Sequence, residues 1–231
     1  MGYTFYFDVP IRSLPFLLKG TITTLQISAV ASSCGLLIAI GGATARMSKN
    51  KIVYSLATAY VEVIRNTPLL VQLYFLYFGL PSLGLNFDAN TTAMVGLSIS
   101  AGGYLTEIVR AGIEAIHKTQ IEAALSLGMS NVQVFLFVKL PQAIRKVLFP
   151  IGNQFIMTVL ASAIAAMISA EELTHKAMIL ESRTFRSLEI FTVTIFIYFA
   201  LSQALYALLR LIGRLYLKRK YEFVKTLPPS L

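Results

Sequence analysis

Hydrophobic residues in this chain come in long unbroken blocks. Stretches without Asp, Glu, Lys or Arg run over 20–45, 66–87, 89–106, 147–170 and 190–209. A bilayer core about 30 Å thick takes roughly 20 apolar helical residues to cross. The blocks therefore predict an all-α membrane protein with five spanning helices, over 15–46, 52–80, 91–117, 147–171 and 189–217. The first is rich in Thr, Ser, Ala and Gly between Thr21 and Gly42, and the third carries Gly96, Gly102 and Gly103. Small residues let membrane helices approach closely. Pro68 interrupts the second, removes a backbone donor and favours a kink there.

The polar connections set the orientation. Arg46, Lys49 and Lys51 separate the first two spans. Lys118, Lys139, Arg145 and Lys146 lie between the third and fourth, and Arg214, Lys218, Arg219, Lys220 and Lys225 follow or close the fifth. The stretch from Pro81 to Asn90 has no Lys or Arg, and the segment 171–189 balances its basic residues with Glu171, Glu172, Glu181 and Glu189. Basic loops stay in the cytoplasm. The N-terminus is expected outside and the C-terminus inside. Residues 1–14 then form an extracytoplasmic segment, 15–217 one membrane domain, and 218–231 a cytoplasmic tail whose Pro-containing end is expected to fray.

Composition agrees. Of 231 residues 56% are hydrophobic and 13% charged, and the mean hydropathy is +0.69. Soluble domains carry about 25% charged residues. The net charge of +9 is topological and calls for no nucleic acid, because no arginine-rich tract interleaved with aromatics is present. Cys34 is the lone cysteine, and His117 and His175 are far apart, which argues against a metal site. The N-terminus lacks the pattern of a cleaved signal peptide, so the first span is expected to act as an uncleaved insertion signal.

One cytoplasmic loop, about 118–142, stands out. Gln120 to Leu127 forms helix well, and Gly128 can end it with a left-handed cap. Ser130 with Gln133 reads as a capping box opening a second short helix, which Pro141 is expected to stop. Two short helices around a glycine make a rigid knuckle that a partner can grip. An ordinary interfacial amphipathic helix is the competing reading.

The loop reads Glu122-Ala123-Ala124-Leu125-Ser126-Leu127-Gly128, then nine residues, then Val138-Lys139-Leu140-Pro141. It resembles the EAA loop of bacterial ABC importers, with Val138 in place of Ile. The resemblance extends to Gly20-Thr21 and Thr24-Leu25, to Glu62-Val63-Ile64-Arg65-Asn66-Thr67-Pro68-Leu69-Leu70-Val71-Gln72-Leu73, and to the string from Tyr104 to Ile113. These look like the polar amino-acid subfamily of ABC permeases over about 14–217. Asn66, Ala111 and Thr119 stand where that subfamily often has Gly.

The resemblance implies the transmembrane domain of a type I ABC importer in a bacterial inner membrane. It implies a second permease subunit, identical or paralogous, two ATPase subunits that bind ATP and Mg, and an extracytoplasmic amino-acid-binding protein. Glu122, Ala123, Ala124, Gly128, Leu140 and Pro141 would couple to the ATPase. No G-x-x-x-x-G-K-[ST] phosphate loop occurs here, so ATP hydrolysis belongs to another chain and this one is no enzyme and needs no cofactor.

Ionisable residues at membrane depth are costly and are functional candidates. Glu62 and Arg65 are three residues apart, as are Glu107 and Arg110, which places each pair on one helix face. They either neutralise each other or meet a zwitterionic substrate or a gate. Asn66, Thr67 and Gln72 flank the expected kink, where they either line a weak substrate site or satisfy the broken hydrogen-bond ladder. Two rivals remain at this point: a gradient-driven transporter with Glu62 and Glu107 as proton carriers, and a membrane scaffold without flux.

Overall fold

The computed structural model describes residues 4–225, with side chains over 4–215. Among the described residues every regular element is helical. Among the described residues three helical runs are long and apolar enough to cross a membrane: Leu14–Arg46, Asn131–Ile168 and Ser187–Leu215.

A short α1 (Asp8–Arg12) leads into α2 (Leu14–Arg46), which has Pro15 in its first turn, where a missing N–H costs nothing. The buried face of α2 is built of Gly20, Thr24, Ile27, Ala31, Gly35, Ala39 and Ala43, spaced three or four apart. Its main partner is α5 (Ala89–Glu114), opened by Asp88, whose carboxylate accepts the Asn90 and Thr91 N–H groups. The two backbones meet at small residues. A Cβ on Gly35 would lie 2.9 Å from the Ala101 Cβ and 3.1 Å from the Gly102 nitrogen. Around this crossing lie two apolar clusters, one holding Ile27, Ala31, Leu73, Leu97 and Ile168, the other Ala39, Ala101 and Leu105.

The expected second helix is broken rather than kinked. α3 (Lys51–Asn66) starts on Asn50, whose side chain accepts from Ile52 and Val53. Thr67 and Pro68 are extended, at φ −115° and ψ 143° and at φ −62° and ψ 134°. Pro68 cannot donate, and its ring drives the preceding residue out of the helical region. α4 (Leu69–Tyr74) then continues through a π turn, Phe75–Gly79, and a 3-10 turn, Leu80–Leu83, to Gly84 at φ +82°.

After the loop helix α6 (Lys118–Ser126) the chain makes one continuous run: α7 (Asn131–Gln133), a π turn Val134–Lys139, α8 (Leu140–Ala161) and a 3-10 turn Ser162–Ile168. Pro141 does not stop this helix, contrary to expectation, and the helix expected from 147 belongs to a run that already begins at Asn131. Pro141 follows directly on the π turn, where the hydrogen-bond register changes and a missing N–H is tolerated.

The segment 171–189, read as a loop from its balanced charges, contains α9 (Leu173–Thr184). Glu172 caps it by accepting the His175 N–H at 2.7 Å, and Leu173 and Ala177 pack with Leu17 and Ile190. The last helix, α10 (Ser187–Lys225), runs past the boundary expected at 217. Met1–Tyr3 and the Pro-containing end, Thr226–Leu231, lie outside the described residues, and with them the expectation that this end frays.

Candidate functional site: coupling loop and polar face

The loop between α5 and α8 folds as a self-capped unit. Gly128 sits at φ +82°, a conformation only glycine adopts without strain. Its N–H donates to the Leu125 carbonyl at 2.9 Å, and the Met129 N–H reaches back to Ala124 at 3.2 Å. This crossed pair satisfies the end of α6. Two residues on, Ser130 accepts the Gln133 N–H at 3.3 Å while the Gln133 side chain accepts the Ser130 N–H at 2.8 Å. Both caps are the ones expected.

Ala124 is buried where α6 packs against the π turn, whereas Glu122 and Ala123 are exposed. Leu127, 84% exposed, forms the tip. Leu140 and Pro141 lie half-buried beyond the π turn, off the exposed surface of the knuckle. At its base Lys146 of α8 donates to the carbonyl of Ala115, the C-cap of α5.

A charge cluster sits on the last turns of α2 and α5, next to this loop. Glu107 accepts from Arg46 of α2 and, at 2.8 Å, from Arg110. Arg110 also donates to Glu114 at 2.6 Å. Two guanidinium groups and two carboxylates neutralise one another. The Glu107–Arg110 pair was legible from its spacing. Arg46, read only as an orientation signal, was not seen as its third member.

Glu62 and Arg65 behave differently. They share the spacing but form no ion pair with each other among the described residues. Glu62 accepts from the Asn66 amide at 3.0 Å, and the Arg65 guanidinium lies over the Tyr104 ring, 5.6 Å from its centre. Both are exposed on α3, beside exposed Asn66 and Thr67.

At the break, side chains replace the lost ladder. Gln72 Nε2 donates to the Ile64 carbonyl at 2.9 Å, to the Thr67 carbonyl at 3.1 Å and to the Thr67 hydroxyl at 2.9 Å. Thr67 donates to Val63 at 2.8 Å, and Asn66 to the Glu62 carbonyl at 2.8 Å. Gln72 Oε1 is buried and has no hydrogen-bond partner among the described residues.

Sequence reasoning missed a third polar centre. Glu172 is fully buried at the end of the bundle away from the loop 118–142. Its carboxylate accepts from Tyr198 of α10 at 2.6 Å and from Thr24 of α2 at 3.4 Å, besides the cap of α9. Burial pushes the carboxyl up, against hydrogen bonds from Tyr198, the Thr174 and His175 backbone and Thr24 that pull it down. The available signal was the Glu172-to-His175 spacing of an N-cap. Glu189, also fully buried, accepts from the Tyr6 N–H at 3.0 Å.

Residues 34–218 match the family described as "Binding-protein-dependent transport system inner membrane component". The chain belongs to this family. The permease is 39% identical over 199 residues to the probable amino-acid ABC transporter permease protein YckA of Bacillus subtilis, covering 86% of this chain and 88% of that one. It is 35% identical over 204 residues to the glutamine transport system permease protein GlnP of Escherichia coli, covering 87% and 93%. Among solved structures it resembles a chain of an amino acid ABC transporter at a TM-score of 0.87 and 38% identity, covering 92% of this chain and 99% of that one. A chain of the MetNI methionine ABC transporter, at a TM-score of 0.72 and 19% identity, shares the fold.

The permease is thus a membrane component of an ABC importer, not an enzyme, and ATP hydrolysis belongs to a separate subunit. Its relatives favour this over the gradient-driven transporter and the scaffold.

Proposed function

We propose that this permease pairs with a second permease subunit, identical or paralogous, to enclose the pathway for a polar amino acid or close derivative in a bacterial inner membrane. The observation that carries the pairing is the polar face of α3. Glu62, Arg65 and Asn66 at the end of α3 and Thr67 just beyond it are exposed on the single chain, flanked by apolar sequence. Charges at membrane depth do not face lipid. That face lines water, and a partner subunit must close the other side of it. The amino-acid class rests on relatives named for glutamine transport and, at 35% identity over 198 residues, for nopaline transport in Agrobacterium fabrum.

In this reading the chain crosses five times, with α3 and α4 together forming one broken crossing, the N-terminus outside and the C-terminus in the cytoplasm. Residues 15–217 are the transmembrane domain between an outer segment, 1–14, and a cytoplasmic tail, 218–231. The loop 118–142 docks on one of two ATPase subunits, which hold ATP and Mg. Glu122, Ala123, Ala124 and Gly128 form the gripped knob, and Leu140 and Pro141 join it to the fourth crossing. A binding protein delivers substrate from outside. ATP closes the ATPase pair, the two knobs move together, and the pathway opens outward. Hydrolysis resets it. Glu62, Arg65, Asn66, Thr67 and Gln72 line the pathway, and Glu107 with Arg110 holds its cytoplasmic end.

The test is ATP hydrolysis in lipid nanodiscs by this chain co-expressed with the ATPase encoded beside it, with the neighbouring binding protein and a panel of amino acids. Stimulation by one loaded binding protein supports the reading and names the substrate. Failure of any amino acid to alter hydrolysis by an assembled complex overturns the substrate class.

A further inference from the structure

The N-terminal segment is clamped to the start of α10 at the end of the bundle away from the loop 118–142. The Arg186 guanidinium lies 4.7 Å from the centre of the Tyr6 ring, 3.6 Å from Glu189 and 3.3 Å from the Thr4 carbonyl, to which it donates. The buried Glu189 carboxylate takes the Tyr6 N–H. This fixes Phe5, Tyr6 and Phe7 outward, at 59%, 52% and 38% exposure, with the Phe5 and Phe7 rings parallel at 6.1 Å. Beside the clamp, Phe185 is 83% exposed and held at φ +54°, and Leu188 is exposed too. A bulky residue rarely adopts that conformation. Here it ends α9 and turns the ring away from the protein.

We propose that Phe5, Tyr6, Phe7, Phe185 and Leu188 form an aromatic ledge that lies in the headgroup layer of the bilayer and fixes the depth of α2 and α10. Four observations choose lipid over a docking protein. Phe5, Tyr6 and Phe7 lie one short helix before Leu14, the start of α2, and Phe185 and Leu188 flank Ser187, the start of α10, so chain connectivity places the ledge at the water boundary. Only 6% of the apolar window of α10 is buried, so this helix stands at the perimeter, away from the polar face of α3. Further along α10, Ile195, Phe196 and Phe199 are exposed as well, so the helix carries apolar side chains outward beyond the ledge. The charges around the ledge, Asp8, Arg12, Glu181, Arg183, Arg186 and Glu189, sum to zero and offer no patch of one sign to a protein partner. Tyr6 has the amphipathic ring that suits the membrane–water interface, and Phe and Leu side chains on a surface with a polar side bury into the headgroup–acyl boundary.

The chain has no Trp, so one introduced indole reports alone. Phe7→Trp and Phe185→Trp, each in the full chain reconstituted in vesicles, are quenched by lipids labelled near the headgroup and by lipids labelled deep in the acyl chain. Phe199→Trp serves as the reference for a crossing α10. The ledge predicts quenching at least about twofold stronger by the shallow label, as for groups about 5–10 Å into the boundary. Phe199→Trp shows the reverse order. Two results overturn the ledge: indoles at 7 and 185 reached by aqueous iodide but by neither lipid label, as on a surface kept for a soluble protein, or quenching dominated by the deep label. A shallow Phe199→Trp signal refutes the crossing of α10 instead, so the two failures are distinguishable.

Discussion

Arg46 at the end of α2 donates to Glu107 across the α2–α5 crossing, and the same carboxylate takes Arg110 from its own helix at 2.8 Å. The pair ties together the two most extensively packed helices of the bundle next to the coupling loop. Removing a single partner leaves charge behind. Glu107→Gln strands Arg46 and keeps Arg110 only on Glu114. The expected loss is about 1–3 kcal/mol, below the range for a fully buried pair because these side chains are partly exposed. Arg110→Ala costs less, since Arg46 still neutralises Glu107. Thermal unfolding in nanodiscs checks the order, and equal losses would contradict it.

The knob depends on a backbone conformation. Gly128→Pro locks φ near −65° where the loop needs +82°. Insertion and assembly are expected to be normal, with substrate-stimulated ATP hydrolysis lost. Glu122→Lys reverses an exposed charge on the same surface and is expected to uncouple likewise. Gly128→Asn, which tolerates the left-handed region, retains most coupling. Wild-type stimulation in a well-expressed Gly128→Pro variant would sink the coupling role.

Gln72 donates to three acceptors around the break, so its loss strips both carbonyls at once. Gln72→Leu is expected to cost about 0.5–1.5 kcal/mol, mainly through the half-buried bond to Ile64, because the Thr67 side of the break is exposed. A purely structural role predicts lower stability with an unchanged concentration for half-maximal uptake. A shift in that concentration at preserved stability identifies Gln72 as a pathway residue.

Glu172 gives a pH dependence with a definite sign. Burial raises its folded-state pKa, so the folded protein binds the proton more tightly than the unfolded chain. Stability is then lost as pH rises from the ordinary Glu range through the folded-state value. Glu172→Gln removes that slope. Melting temperatures of both proteins between about pH 4 and pH 8 test it, and identical slopes would exclude Glu172 as the source.

What was legible in the sequence was what is decided locally. The left-handed Gly128 and the Ser130–Gln133 box depend on a few neighbouring residues, and both form. The break at Pro68 was legible as a perturbation. Its extent depends on Gln72 reaching back to Ile64 and Thr67 after the chain is folded. Pro141 misled because a π turn has no composition of its own, so proline there read as a stop. α9 was invisible because balanced charges look like a solvated loop, yet Glu172 among them is buried by helices distant in sequence. The i,i+3 spacing fitted Glu62–Arg65 as well as Glu107–Arg110. Only tertiary neighbours, Tyr104 for Arg65 and Arg46 for Glu107, separate the two.

The bond from Lys146 to the Ala115 carbonyl lies at the root of the coupling loop, where a cation also complements the helix end. With α5 and α8 packed along their lengths, it closes the loop into a ring. Continuity of the chain through Leu127–Met129 is therefore not what keeps those helices adjacent. Exposed tips of this kind tolerate nicking, and a cut beside Gly128 should leave two fragments that remain associated as a split protein. Such a protein would keep its bundle and lose only the stiffness of the knob, separating what the loop holds together from what it pushes.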